Sequence, residues 1–580
     1  RNSADTLLAP VVNGVYRLPV TLREGANVFV ALADSSGVTV RSDPPVTLTY
    51  IVDHTPHAAL GFADLGTSLQ IFATGSTDPD SGQAPLLTYT WSEDPANPSS
   101  LGIAGAAGSS LNAPKPQKPG LYAFGLIASD PDGNADTTRN YFVVNADRSI
   151  TVPSYASNPP WVQTGRIYFL FPKEVSPQGT LNAAALRLPY IRDMGFSIIW
   201  LMPVMKNADP INLGGGPGYN ITDFSTVAPE YGTNQDLKAF VDQAHALGLK
   251  VILDITPNHS SSSHPWSVDA HRYREDSRYW SWYEHTLIPH DTHGLGQSAD
   301  AAGFVHYDGW DVLLDLNWSD IDLRTEMINV FKYWITMTGV DGYRFDVYWG
   351  PSLRYGEGAF GKPIREALKH VKPDILLLGE TDGTGPGTER YYADYTGGIP
   401  GGVDAAYDWS HFPLISGFAF TPTAVNNLHA GLDNNGYYPG PNALFLRYME
   451  NQDEDRIAWV YSNNGTLDAT TTFRRTMVMA SILFTAPGLP ELWNGQEVGF
   501  GYGITSGVDA RRRGLIDWNF QGKSLLTPHY QKLATLRGQF PAFSQHKQDT
   551  DHNGVIDSRD ASDFVRVSST DPNLYAFLRP

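Results

Sequence analysis

The sequence predicts a multidomain chain built on a (β/α)8 barrel, with a subdomain inserted after the third barrel strand, two all-β modules before the barrel and a short β segment after it. Three observations predict this. Short apolar runs (RIYFLFP, SIIWLMPV, KVILDI, GYRFDV, ILLLGE) alternate with helical stretches such as QDLKAFVDQAHALG and LRTEMINVFKYWITMTG. Strand and helix in alternation specify a parallel sheet, and this many units in one run close it into a barrel. Before residue 150 the apolar residues instead alternate singly with polar ones between Gly, Ser and Pro clusters, as in short antiparallel strands. The connection after KVILDI, about residues 259 to 317, is far longer than a βα loop and reads as an inserted unit.

The elements follow in order. Residues 1–54 read as a β-sandwich-like module through NVFVALAD and VTLTYIVD. Residues 55–150 form a second module in which GSTDPDSG and SDPDGNAD are turn clusters between the strands LLTYTWSED and GLYAFGLIASD. Through GSTDPD, YTWS and GLYAFGLIASD this unit resembles the polycystic-kidney-disease type of immunoglobulin-like module. Such a module is expected to serve as a spacer or packing platform, with direct sugar binding the other reading. NPPWVQ marks a linker, residues 151–540 carry the barrel (a TIM barrel), and 541–580 begin a C-terminal β-domain.

Composition narrows the functions. The chain has 580 residues, 41% of them hydrophobic and 18% charged, a formal net charge of −20 and no cysteine. So negative a chain is a poor partner for nucleic acid or anionic lipid, and a neutral ligand is favoured. Without cysteine there are no disulfides, thiolate nucleophiles or Cys-based zinc sites. The apolar stretch Met477 to Leu492 is interrupted by Pro487 and Pro490 and is too short to span a membrane. No signal-like region opens the chain, so any targeting peptide is expected to have been removed or to lie beyond these residues.

Barrel enzymes build their sites where strands end at the C-terminal face. The polar residues there are Asp254, Asn258 and His259 after KVILDI, Arg344 and Asp346 in GYRFDV, Glu380 after ILLLG, and Asn451, Gln452 and Asp453 after LFLRYME. Asp346, Glu380 and Asp453 converge from three strands. Two carboxyls flanking a glycosidic bond act as nucleophile and acid/base in retaining hydrolysis. Arg344, two residues from Asp346 and on the same strand face, is expected to hold it ionised and oriented. Glu380 closes an apolar run, an environment that favours a proton donor.

DITPNH (254–259), GYRFD (342–346), GE (379–380) and ENQD (450–453), in this order, resemble the motifs of the α-amylase family of glycoside hydrolases. GYNITDF, LDLNW and WNGQEVG extend the resemblance, which covers roughly residues 166 to 580. It implies that Asp346 is the nucleophile, Glu380 the general acid/base and Asp453 the third carboxylate, gripping the hydroxyls of a distorted sugar. It further implies that Arg344 and His259 line the same subsite and that Tyr219 stacks on the sugar. The family's fourth motif has Asn-His-Asp where this chain has Asn451, Gln452 and Asp453; Gln donates a hydrogen bond but carries no charge. Starch-degrading members follow the nucleophile with a Lys-His pair where Trp349 and Gly350 stand here. Endo-acting starch cleavage is thereby put in question, and oligosaccharide hydrolysis or transglycosylation stays open. Trp349 stacks on the leaving sugar or packs beneath its loop.

The aromatic stretch 264–285 is expected to be mainly a mini-core of the insertion, and its histidines lack zinc spacing. DTDHNGVIDSRD fits a calcium loop, with Asp549, Asp551, Asn553, Val555, Asp557 and Asp560 as ligands and Gly554 at the sharp turn. The bound calcium would be structural. The resemblance implies a further calcium site using Asn258. The expected protein is a secreted, monomeric enzyme acting on α-glucans; a transglycosylase and a non-catalytic glucan-binding protein are the other readings.

Overall fold

The computed structural model describes residues 54–80, 82–209, 216–285, 298–383, 387–395, 397–409, 411–433, 442–505, 507–543, 564–571 and 574–579, with 11–12, 15–16, 25–30, 32–35, 38–41 and 44–50 of the opening segment. The expected calcium loop, 549–560, lies outside them. The chain divides into two compact units, Arg1–Thr151 and Val152–Pro580.

In the first unit, Gly25–Phe29 pairs antiparallel with Val46–Tyr50, and Leu32–Ser35 with Val38–Arg41. Downstream, a three-stranded sheet (Gly61–Asp64, Ser68–Phe72, Ser110–Pro114) faces a four-stranded one (Thr88–Glu93, Gly120–Ser129, Ala135–Val144, Ile150–Thr151). The period of two in GLYAFGLIAS places Tyr122, Phe124, Leu126 and Ala128 on one buried face. Phe62 of the opposite sheet meets Phe142 edge-on at 5.1 Å, so the two sheets share a core. The DPDG turn has a local cause. Asp130 Oδ1 accepts from the backbone N–H groups of Asp132, Gly133 and Asn134, and Gly133 takes a φ of 100° that a side chain would resist.

In the second unit, eight parallel strands close into a barrel: β1 (Ile167–Leu170), β2 (Ile198–Leu201), β3 (Lys250–Ile255), β4 (Gly342–Phe345), β5 (Leu376–Gly379), β6 (Ala405–Tyr407), β7 (Leu444–Arg447) and β8 (Leu489–Trp493), which returns to β1. Barrel on one side and helices on the other leave no wet face, hence the unbroken apolar runs. Gly342 opens β4 because a Cβ there would lie 2.5 Å from the Leu376 carbonyl oxygen. Helices begin and end on legible signals. Thr233 and Asp236 form a capping box for Asn234–Ala246, and Asp320 caps Ile321–Thr338, which stops at Gly339 with φ 80°. Among the described residues no helix is long and apolar enough to cross a membrane.

After β3 the chain enters a small antiparallel sheet of His259–Ser261, Leu313–Asp315, Val305–His306 and Ser298–Ala299. Trp266, Tyr279 and Trp282 pack on one another beside it, and His271 and His285 stack on Phe304 and Trp280. These contacts make the aromatic stretch a local core. The sheet delivers its residues to the mouth of the barrel, because His259 lies just beyond the end of β3.

Candidate active site

Arg344 projects from β4 with no exposed surface, and its hydrogen bonds organise the mouth of the barrel. Nη1 donates to Asp346 Oδ1 at 2.7 Å, Asp254 Oδ1 at 3.0 Å and Tyr219 Oη at 3.1 Å. Nε donates to Tyr407 Oη at 3.2 Å, and Nη2 lies 2.9 Å from Glu380 Oε2. The register explains the convergence: Arg344 pairs with Asp254 on β3 and Leu378 on β5, and Asp346 and Glu380 follow one step beyond the paired Phe345 and Gly379. The planar guanidinium also lies over the rings of Trp200, Tyr219 and Tyr407 at 5.2 to 5.6 Å.

The structure departs from the expected simple pair. One guanidinium serves three carboxyls rather than Asp346 alone. Burial pushes the Asp346 carboxyl up and Glu380 and Asp254 add to this, against the downward pull of Arg344. Burial likewise pushes Asp254 up to about 6, although Trp200, Tyr219 and Arg344 all donate to it. Burial and the neighbouring carboxyls thus oppose ionisation of Asp254 and Asp346, and the Arg344 guanidinium favours it.

Glu380 Oε2 accepts from the backbone N–H of Val347 at 2.7 Å, and the Trp349 N–H bonds the Glu380 carbonyl at 3.1 Å. Asp453 arrives from beyond β7. Its Oδ2 accepts from Gln452 Nε2 at 2.8 Å, and its backbone N–H donates to Asn451 Oδ1 at 2.9 Å. The cleft walls and Glu380 push Asp453 up to about 7, with Arg344 and Arg513 pulling the other way. Asp453 is nevertheless exposed. Water reaches this carboxyl and screens its charge.

Tyr219 bridges Arg344 and Asp254 through its hydroxyl. His259 is buried, which drives its imidazole down to about 3, so it is neutral at working pH. Trp349 is half-buried, its ring 6.2 Å from that of Tyr307. Tyr307 was not singled out by sequence reasoning, yet its ring stacks on His259 at 5.6 Å and its hydroxyl is pushed up by burial and then by the Glu380 and Asp346 carboxyls. Only the order of the insertion's strands brings it there. A second group missed in the sequence is Arg511–Arg513. Arg511 and Arg512 bond Asp455, Arg512 also bonds the Asp453 carbonyl, and Arg513 bonds the Gln452 carbonyl at 2.9 Å, tying the loop after β8 to the loop after β7. The run ARRRG could have signalled an anion clamp.

Asn258 does not fit the expected calcium. Its Oδ1 accepts from Arg354 Nη2 at 2.6 Å, and Nδ2 donates to Asp315 Oδ1 at 2.9 Å. A cation at this oxygen would have to displace a fully buried guanidinium.

A closed barrel with carboxyls gathered around a buried arginine at its mouth has the layout of a barrel enzyme's active site. Residues 129–511 match the family model "Alpha amylase, catalytic domain", and the chain belongs to the α-amylase family. It is 28% identical over 365 residues to alpha-amylase 3 of Dictyoglomus thermophilum, covering 59% of this chain and 65% of that protein. It is 27% identical over 398 residues to the trehalose synthase/amylase TreS of Mycobacterium tuberculosis, covering 60% and 64%. The chain thus spans less than two thirds of the length of these curated relatives. Among solved structures, the acarbose complex of the Geobacillus thermoleovorans alpha-amylase superposes with a TM-score of 0.52 at 26% identity, over 70% of this chain and 82% of that one.

Proposed function

We propose that the chain is a retaining glycoside hydrolase that cleaves α-glucosidic bonds, mainly α-1,4, in starch, maltooligosaccharides or related α-glucans. The observation that carries this reading is the bridging of Asp346 and Glu380 by the two terminal nitrogens of Arg344. Carboxyls spanned by one guanidinium stand near the short separation of retaining enzymes, about 5 to 5.5 Å, rather than the roughly 6.5 to 9.5 Å that admits a water between them. Asp346, the more directly bonded partner, attacks the anomeric carbon as Glu380 gives its proton to the glycosidic oxygen. The bond to the leaving sugar breaks and a glycosyl-aspartate forms. Glu380, now ionised, takes a proton from water, which attacks the anomeric carbon and frees Asp346. Net configuration is retained.

Asp453 and Gln452 hold ring hydroxyls of the reacting sugar, neutral His259 donates a further hydrogen bond, and Tyr219 presents its ring to the sugar. Transfer in place of hydrolysis is the second reading. It is favoured by Trp349, which offers an aromatic surface on the side where an acceptor sugar enters, and by the similarity to a trehalose synthase/amylase. The product time course on soluble starch, maltotetraose and pullulan tests both, with Asp346→Asn and Glu380→Gln as controls. A shortening ladder lost in both variants supports hydrolysis, and products longer than maltotetraose signal transfer. Starch binding without turnover, equal in wild type and Asp346→Asn, would leave only a glucan-binding protein.

We further assign a structural calcium to Asp549, Asp551, Asn553, Val555, Asp557 and Asp560, whose spacing supplies oxygen donors around Gly554. Chelation lowers Tm if this is right; metal analysis of the purified protein that finds no calcium sinks it. The modular architecture and the polymeric substrate favour a secreted monomer, with the immunoglobulin-like modules acting as spacers. Size-exclusion chromatography with light scattering checks the monomer.

A further inference from the structure

Arg354 lies on the helix Trp349–Tyr355 that follows β4, and its side chain has no exposed surface. Around its guanidinium stand oxygen atoms from three separate parts of the chain. Asn258 Oδ1, just beyond β3, accepts from Nη2 at 2.6 Å. Glu284 Oε1 lies 3.4 Å from Nε, and Asp315 Oδ2 lies 3.6 Å from Nη1. Both carboxylates belong to the insertion, where the Glu284 N–H bonds the Asp315 carbonyl at 3.0 Å. Two carboxylates and an amide oxygen converging on one buried point are the donor set of a hard divalent cation. Here a side chain of the protein supplies the positive charge.

The neighbouring glycine fits the same explanation. Gly350 precedes Arg354 by one helical turn, and a Cβ at 350 would lie 2.5 Å from Asn258 Oδ1 and 3.3 Å from Arg354 Nη1. No side chain can stand at 350 while the guanidinium holds Asn258 in this position. The glycine after Trp349 and the arginine four residues on are therefore two parts of a single arrangement.

We infer that Arg354 is a tethered cation that replaces a divalent metal at the junction of β3, the insertion and the helix after β4, so that this junction is held without calcium. The consequence reaches the candidate active site. Asn258 Nδ2 lies 3.2 Å from His259 Nδ1, and His259 stacks on Tyr307, so whatever fixes Asn258 fixes the wall of the sugar site. An ion can leave when its free concentration falls; the guanidinium cannot.

The test compares wild type, Arg354→Met and Arg354→Lys, each in millimolar calcium and in EDTA, reading Tm and the yield of refolding from urea. The wild-type response to calcium reports every other site, the 549–560 loop included, and serves as the reference. Arg354→Met leaves two buried carboxylates without their cation, and its Tm in EDTA falls by roughly 5 to 10 °C. Calcium then restores Tm and refolding yield in this variant well beyond the wild-type response, because the vacated oxygen cage accepts the ion. Arg354→Lys keeps the charge and responds to calcium as wild type does. Equal calcium responses in Arg354→Met and wild type, or equal refolding yields of Arg354→Met in the two buffers, whether high or nil, overturn the inference.

Discussion

The backbone N–H of Val347 donates to Glu380 Oε2 at 2.7 Å from a left-handed conformation, φ 47°, that a β-branched residue rarely adopts. The residue after Asp346 is thus held in strain, and the strain aims an amide at the carboxyl assigned as acid. Replacing a buried Val by Gly in ordinary backbone costs roughly 3 kcal/mol through lost burial and added chain freedom. At position 347 the relieved strain offsets most of that, so Val347→Gly should unfold within about 1 kcal/mol of wild type. Its kcat should fall about tenfold as the amide loses its fixed direction. Urea unfolding and steady-state kinetics on one preparation check both halves.

Removing either reacting carboxyl should have a much larger effect. Asp346→Asn and Glu380→Gln are each expected to lower kcat by at least about a thousandfold, since one deletes the covalent step and the other the proton transfer. An aryl glucoside with a good leaving group needs little acid assistance, so it should recover much of the rate in Glu380→Gln and none in Asp346→Asn. Equal recovery in the two variants would contradict the assigned roles.

Stability should fall as the medium becomes alkaline. Arg456 bonds both Glu174, at 2.9 Å, and Glu450, at 3.1 Å, with all three side chains buried. Burial pushes Glu174 up to about 8 and Glu450 up to about 7, Arg456 pulling against it, and Glu491, whose oxygens have no hydrogen-bond partner among the described residues, is also pushed up. Their folded values lie above an unfolded value near 4.5, so the folded state binds the proton more tightly. The stability this contributes is complete below about pH 4.5 and is lost as pH rises from there through about 7 to 8, on the order of a few kcal/mol per group. Melting curves between pH 6 and pH 9 should show falling Tm, and Glu450→Gln and Glu491→Gln should each flatten the slope.

Tyr307 should affect how sugars are held more than the chemistry. Tyr307→Ala removes the ring stacked on His259 and is expected to raise KM for maltooligosaccharides about fivefold to tenfold with a smaller change in kcat. Tyr307→Phe should retain wild-type values, because the ring rather than the hydroxyl makes the contact.

Arg513 acts at one remove, through the Gln452 carbonyl. Arg513→Ala should lower kcat/KM about tenfold by loosening the loop that presents Asp453. Arg513→Lys should recover part of the loss; a variant indistinguishable from wild type would show that the clamp is dispensable.

Much of this was legible because chain-local physics specifies it. Strands buried on both faces had to read as apolar runs, so KVILDI and ILLLG announced β3 and β5, and the position just beyond each run placed Asn258, His259 and Glu380 at the mouth. The spacing of Arg344 and Asp346 announced their shared face. What could not be read depends on which distant residues meet. The sharing of Arg344 among three carboxyls is a consequence of barrel closure, the approach of Tyr307 depends on the insertion's strand order, and the meeting of Arg354 with Asn258 joins residues 96 apart. Gly350 looked like a missing functional group and is instead the space a neighbour requires.

The gathering of Asp254, Asp346, Glu380 and Asp453 about Arg344 gives the mouth of the barrel more acid groups than it can neutralise. A glucan in its resting form is uncharged and gains little from that field, whereas the sugar ring at the top of the barrier carries positive charge and gains the most. The same preference extends to any small amine shaped like a sugar: such a compound should hold the site more tightly as pH rises, until it loses its own proton, and added salt should loosen that hold while leaving the affinity for maltotetraose almost untouched.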